Sequence, residues 1–116
     1  MELAILDRIT LLNILPVEGD VVTVRILKKL RADLGFTEEE IKDHKIKSEE
    51  NRVLWEETGY KADISIGEKA TDIIKDAFKR LNQEKKIREE MLPLYETFMG
   101  ADILPFRKQE ADGKAD

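Results

Sequence analysis

Among the residue types that attack, titrate or ligate near neutral pH, the chain offers carboxylates, lysines and one imidazole, His44, and no cysteine. Glu38, Glu39, Glu40 and Asp43 beside His44 have the letters of a metal site. Consecutive glutamates on a helix point in different directions, however, and acids at the positive end of a helix dipole need no further explanation. His44 then reads as a surface or helix-end residue. Glu84-Lys85-Lys86 has the letters of a nuclease Glu-x-Lys, a chemistry that needs a strand beside a metal-holding aspartate, whereas here the triplet falls at a helix end. The glycines at 19, 35, 59, 67, 100 and 113 are isolated, each explained by a turn or cap, so no phosphate-cradling loop is present. Neither Ser48 nor Ser65 stands in the Gly-x-Ser-x-Gly frame of a nucleophile elbow. These readings point away from an enzyme and imply neither cofactor nor metal.

The 116 residues are 41% hydrophobic and 39% charged, a balance that fits one small domain held together by burial alone. The apolar run Leu3 to Leu6 is too short for a signal segment or a membrane span, and Glu2 stands where a basic residue would be wanted, so the expected location is cytoplasmic. The net charge of −5 argues against a surface that attracts phosphate all over. The charge is nonetheless uneven. Residues 37 to 57 hold eight acids and four bases, whereas residues 20 to 36 hold four bases and two acids.

The elements that would position these groups follow from periodicity. Residues 2 to 15 are apolar nearly all round a helix, which demands partners on several sides, and Pro16 ends it. Arg8 falls inside the densest apolar sector between Ala4, Leu11, Leu12 and Leu15. The favoured reading is a packed stem with its head at the rim; the sharper one is a buried ion pair or an interface anchor. Asp20 caps a second helix with Thr23, Ile26, Leu27, Leu30 and Leu34 on one face and Gly35 as its stop, although Val21, Val22, Thr23 and Val24 also suit an extended start. Thr37 and Glu40 form a capping box that opens a short third helix ending about His44.

From Lys45 the pattern alternates, predicting a two- or three-stranded antiparallel meander through Ile46, Val53, Trp55, Ile64 and Ile66. Glu49, Glu50 and Asn51 make its first turn. A second turn at Thr58-Gly59 would set Trp55 opposite Ala62 and Glu56 opposite Lys61. Ser65 and Glu68 read as another capping box, opening a helix with Ala70, Ile73, Ile74, Ala77, Phe78 and Leu81 on one stripe. A last helix near Arg88 to Met99 accommodates Pro93 only in its first turn, and Gly100 ends it. The fold class is α+β, about five helices with the meander between the third and fourth. Residues 1–100 form the domain, and residues 101–116, with a brief apolar patch at Ile103, Leu104 and Phe106, read as a tail.

Two kinds of binding fit this frame. Helix, turn, short helix and hairpin is the element order of a winged helix-turn-helix, but its recognition helix would open Glu38-Glu39-Glu40 and repel phosphate. A nucleic-acid surface would then have to use Arg25, Lys28 and Lys29, or Lys75, Lys79 and Arg80, where Asp72 and Asp76 interleave. The other kind is protein binding. Glu49, Glu50, Glu56 and Glu57 around Trp55 would present an acidic hairpin face to a basic partner. The apolar first helix and the cluster Leu94, Tyr95, Phe98 and Met99 would add surface for a partner or a homodimer, beyond what core packing explains.

The stretch Ile9-Thr-Leu-Leu-Asn-Ile-Leu-Pro16 with Glu18-Gly19, the run Leu34-Gly35-Phe36-Thr37-Glu38-Glu39-Glu40, the lone Trp55 and Ile66-Gly67-Glu68-Lys69-Ala70 resemble small proteins encoded in bacteriophage and prophage genomes. The resemblance spans residues 5 to 99 and carries over no catalytic residues. It implies an accessory protein that binds a phage or host macromolecule, for assembly or for interference with the host. The sequence reading is therefore a non-catalytic interaction module, with a winged-helix nucleic-acid-binding regulator as the alternative.

Overall fold

Residues 1–100 are described by a computed structural model of the chain, and the expected tail with its apolar patch lies outside the described residues. The elements run β1 (Glu2–Ala4), α1 (Ile5–Ile14), α2 (Val21–Leu34), α3 (Glu38–His44), β2 (Lys47–Glu49), β3 (Arg52–Leu54), β4 (Lys61–Asp63), α4 (Glu68–Gln83) and α5 (Leu92–Met99), with a 3₁₀ turn at Glu89–Met91 before α5. The fold is α+β, and its five helices follow the expected order.

The core forms where the apolar stripes of α1, α2, α4 and α5 meet. Leu11, Leu27, Leu34, Ile74 and Phe78 are wholly buried at its centre. Phe78 sits edge-on to Tyr95 at 5.5 Å between ring centroids and 6.2 Å from Phe98, so the aromatic residues of α5 close the core against α4. Leu94, Tyr95, Phe98 and Met99 are thus interior packing and add no surface for a partner. Apolar exposure occurs instead around the start of α2, at Val17, Val21 and Val22. Helix α2 does begin at Val21, because the Asp20 carboxylate accepts from the Thr23 amide at 2.7 Å and outweighs the β-branched run. Pro93 lies in the first turn of α5, where its missing amide costs no bond.

Three local expectations are corrected. The first helix does not begin at Glu2: Glu2–Ala4 is a strand, paired antiparallel with β4 in the register Leu3↔Ala62. The N-terminal ammonium pairs with Asp63 at 2.8 Å, and Asp7 accepts from the Ala4 amide to start α1 after the strand. The second hairpin is absent for the same reason. Ala62 and Lys61 find their partners in β1, where Leu3 can be buried, so Trp55 and Glu56 do not oppose them, and two separate two-stranded sheets replace one meander. Ser65 does not cap α4; its N-cap is Gly67, with no side-chain bond.

Candidate interaction surface

The site is built outward from Arg8. Its side chain is 3% exposed, and Nη1 pairs with Glu40 Oε2 at 2.8 Å, the Glu40 side chain being 13% exposed. Nη2 donates to Glu40 Oε1 at 3.1 Å and to the Gly35 carbonyl, and Nε donates to the Leu34 carbonyl at 3.1 Å. Two carbonyls orphaned at the end of α2 are thereby satisfied from α1. The face of Phe36 lies 4.2 Å from the guanidinium carbon, adding a cation–π contact. The buried ion pair is therefore the reading that holds for Arg8, and the head does not reach the rim.

Glu40 serves this cluster from a position fixed by its own helix. The capping box is formed as expected: Thr37 Oγ1 accepts from the Glu40 amide at 3.1 Å, and Glu40 Oε1 accepts from the Thr37 amide at 3.0 Å. Tyr60, just before β4, donates its hydroxyl to Glu40 Oε2 at 2.7 Å. The Arg8 hydrogen bonds first, then those from Thr37 and Tyr60, outweigh burial and hold the Glu40 carboxyl down at about 2. The same bond pushes the Tyr60 hydroxyl up, because ionising it would place a second negative charge against the carboxylate. Glu40 thus ties α1, the start of α3 and the approach to β4, and Arg8 extends the cluster to the end of α2.

This clasp aims the hairpin. Lys45 ends α3 in the left-handed conformation, and the Ile46 amide returns to the Ile41 carbonyl. After the hairpin, the Glu56 amide closes on the His44 carbonyl at 2.8 Å, and the His44 ring stacks on Tyr60 at 4.2 Å. Strands β2 and β3 pair Lys47↔Leu54, Ser48↔Val53 and Glu49↔Arg52. Of these strand residues only Val53 is even half-buried.

The expected acidic residues fall into two groups. Glu49 and Glu50 lie at the tip, Glu50 in the turn with φ 52°. Trp55, Glu56 and Glu57 lie at the base, where the Trp55 indole donates to Glu57 Oε1 at 2.9 Å and Glu56 stands 3.7 Å from Lys45 Nζ. Arg52 opposite Glu49 and Lys45 beside Glu56 temper the charge, so the negative surface comes as much from Glu38, Glu39 and Asp43 on α3 as from the hairpin. On α2, Arg25 and Lys29 line a shallow cleft of about 520 Å³ against the start of α4, Lys29 pairs with Asp33 at 2.7 Å, and Lys28 lies outside the cleft.

Sequence reasoning reached Arg8, Glu40 and the hairpin acids separately. Their signals were a charge in an apolar sector, a capping box and a run of carboxylates. Nothing in the sequence marked Tyr60, whose role arises only from the path of the chain. Among the described residues no three His, Cys, Asp or Glu side chains are grouped to hold a metal ion, and no helix is long and apolar enough to cross a membrane. Comparison with protein-family models, curated proteins and solved structures found no match.

Proposed function

We propose that the protein is a non-catalytic interaction module, an accessory protein of phage type that binds a basic surface on a phage or host macromolecule through the β2–β3 hairpin and the adjoining face of α3. The observation that carries this reading is a hairpin whose strands bury almost nothing within the chain although its base is anchored with care. A two-stranded hairpin is marginal on its own in water, and one held ready by a buried ion pair offers two free edges and a half-buried tryptophan to a partner. The carboxylates Glu38, Glu39, Glu49 and Glu50, which form no ion pair among the described residues, give the expected partner its sign.

The test compares wild type with a Glu49→Gln, Glu50→Gln, Glu56→Gln, Glu57→Gln variant and with Trp55→Ala as baits in host lysate, after matched melting curves. Loss of the same specific partners from both variants is expected. Recovery of those partners at unchanged strength overturns the assignment of this face.

A second reading, a nucleic-acid-binding regulator, rests on Arg25, Lys29 and Lys69 lining one cleft between α2 and α4, although Asp33 and Glu68 line it too. It requires a salt-sensitive mobility shift of duplex DNA that weakens in Arg25→Ala and Lys29→Ala. No shift at low salt with any duplex removes it.

A further inference from the structure

A cleft of about 570 Å³ opens on the side of the molecule formed by the end of α1, the end of α4 and the linker to α5. Arg80, Lys86 and Arg88 line it together with Asn13, and no carboxylate is among the described residues that line it. Ile14 and Met91 contribute to an apolar floor. Glu84 stands 3.5 Å from the Lys86 ammonium, whereas neither Arg80 nor Arg88 has an ion-pair partner among the described residues. Glu89 and Glu90 follow Arg88 in the chain but do not line the cleft.

The negative end of the α4 dipole accounts for basic residues near its last turn, such as Arg80 and Lys86. It does not account for Arg88, which lies beyond the turn at Lys85, nor for the convergence of all three cations on one recess.

We propose that this cleft binds a small organic phosphate, with the phosphate dianion between the two guanidinium groups and its organic body on the apolar floor. After Glu84 offsets Lys86, the cleft retains about two positive charges, which match the charge of a phosphate monoester at neutral pH. Planar guanidinium forks suit phosphate oxygens, and Asn13 supplies an amide donor for the same oxygens or for a polar group on the body. The volume lies in the range of small-molecule sites.

The experiment is an amide chemical-shift titration of the full chain with phenyl phosphate, inorganic phosphate, phenol and a single-stranded oligonucleotide as separate probes. Phenyl phosphate is expected to give saturable shifts confined to the amides of residues 13–14, 77–81 and 86–91. It should bind about tenfold more tightly than inorganic phosphate, because only the ester uses the floor, and phenol should give no saturable shifts. Arg80→Gln and Arg88→Gln should each weaken it about tenfold or more through loss of a charge-assisted bond, with the melting temperature unchanged in Arg88→Gln, whose side chain is exposed, and lowered by no more than a few degrees in Arg80→Gln, which also loses its place at the α4 dipole. Three results overturn the proposal: shifts spread over all basic surfaces, affinity unaltered in both variants, or an oligonucleotide that saturates the same amides at lower concentration than phenyl phosphate.

Discussion

Replacing Glu40 by alanine tests whether the Arg8 cluster holds the domain together. The substitution removes two charge-assisted bonds from Arg8, one from Tyr60 and one from the Thr37 amide, and leaves an Arg8 side chain that is 3% exposed without its counter-charge. Breaking a buried pair from one side costs about 3–5 kcal/mol. Here Arg8 keeps the Leu34 and Gly35 carbonyls and the Phe36 face, which places the loss at the lower end, about 3 kcal/mol. That corresponds to a fall in melting temperature on the order of 10 °C for a domain of this size. Urea denaturation followed by far-ultraviolet circular dichroism measures it directly. A double variant, Arg8→Met with Glu40→Leu, should regain most of the loss, because two apolar side chains leave no charge stranded. The pH dependence gives an independent check. Glu40 titrates near 4.5 when unfolded and at about 2 when folded, so its contribution is complete above 4.5 and disappears as the pH falls from there toward 2. Subtracting the stability curve of Glu40→Gln from that of wild type should show a difference that shrinks over that window. A cost below about 1 kcal/mol for Glu40→Ala, or a difference curve flat between pH 5 and pH 2, would refute the reasoning.

Phe78→Ala should cost about 3–5 kcal/mol in chemical denaturation, since the ring is wholly buried and packs against Tyr95 and Phe98. Asp20→Ala should lower stability in the same measurement, through loss of the α2 N-cap. Tyr60→Phe should cost about 1.5–3 kcal/mol, the value of a hydrogen bond to a charged acceptor. The difference between the ultraviolet titrations of wild type and Tyr60→Phe should show the Tyr60 hydroxyl ionising above the usual 10.

By itself the sequence determined the helices, because each carries a local signal that does not depend on the rest of the chain. The Asp20 cap, the Thr37–Glu40 capping box and the α4 stripe from Ala70 to Phe78 all stand where capping chemistry and a 3.6-residue period put them. The β2–β3 turn at Glu50 was legible for the same reason. Tertiary structure alone decided the rest. The three residues of β1 look helical in isolation, and only pairing with β4 from the far side of the hairpin buries Leu3 and gives their amides partners. That pairing took β4 away from Trp55, so a hairpin plausible from its turn residues and charges was outcompeted by a contact distant in sequence. The fate of Arg8 was decided likewise. Periodicity placed it among apolar side chains, but the carbonyls of Leu34 and Gly35, the carboxylate of Glu40 and the hydroxyl of Tyr60 meet there only once three helices and a loop have packed. Whether a buried charge is a cost or an anchor depends on partners that local sequence does not specify.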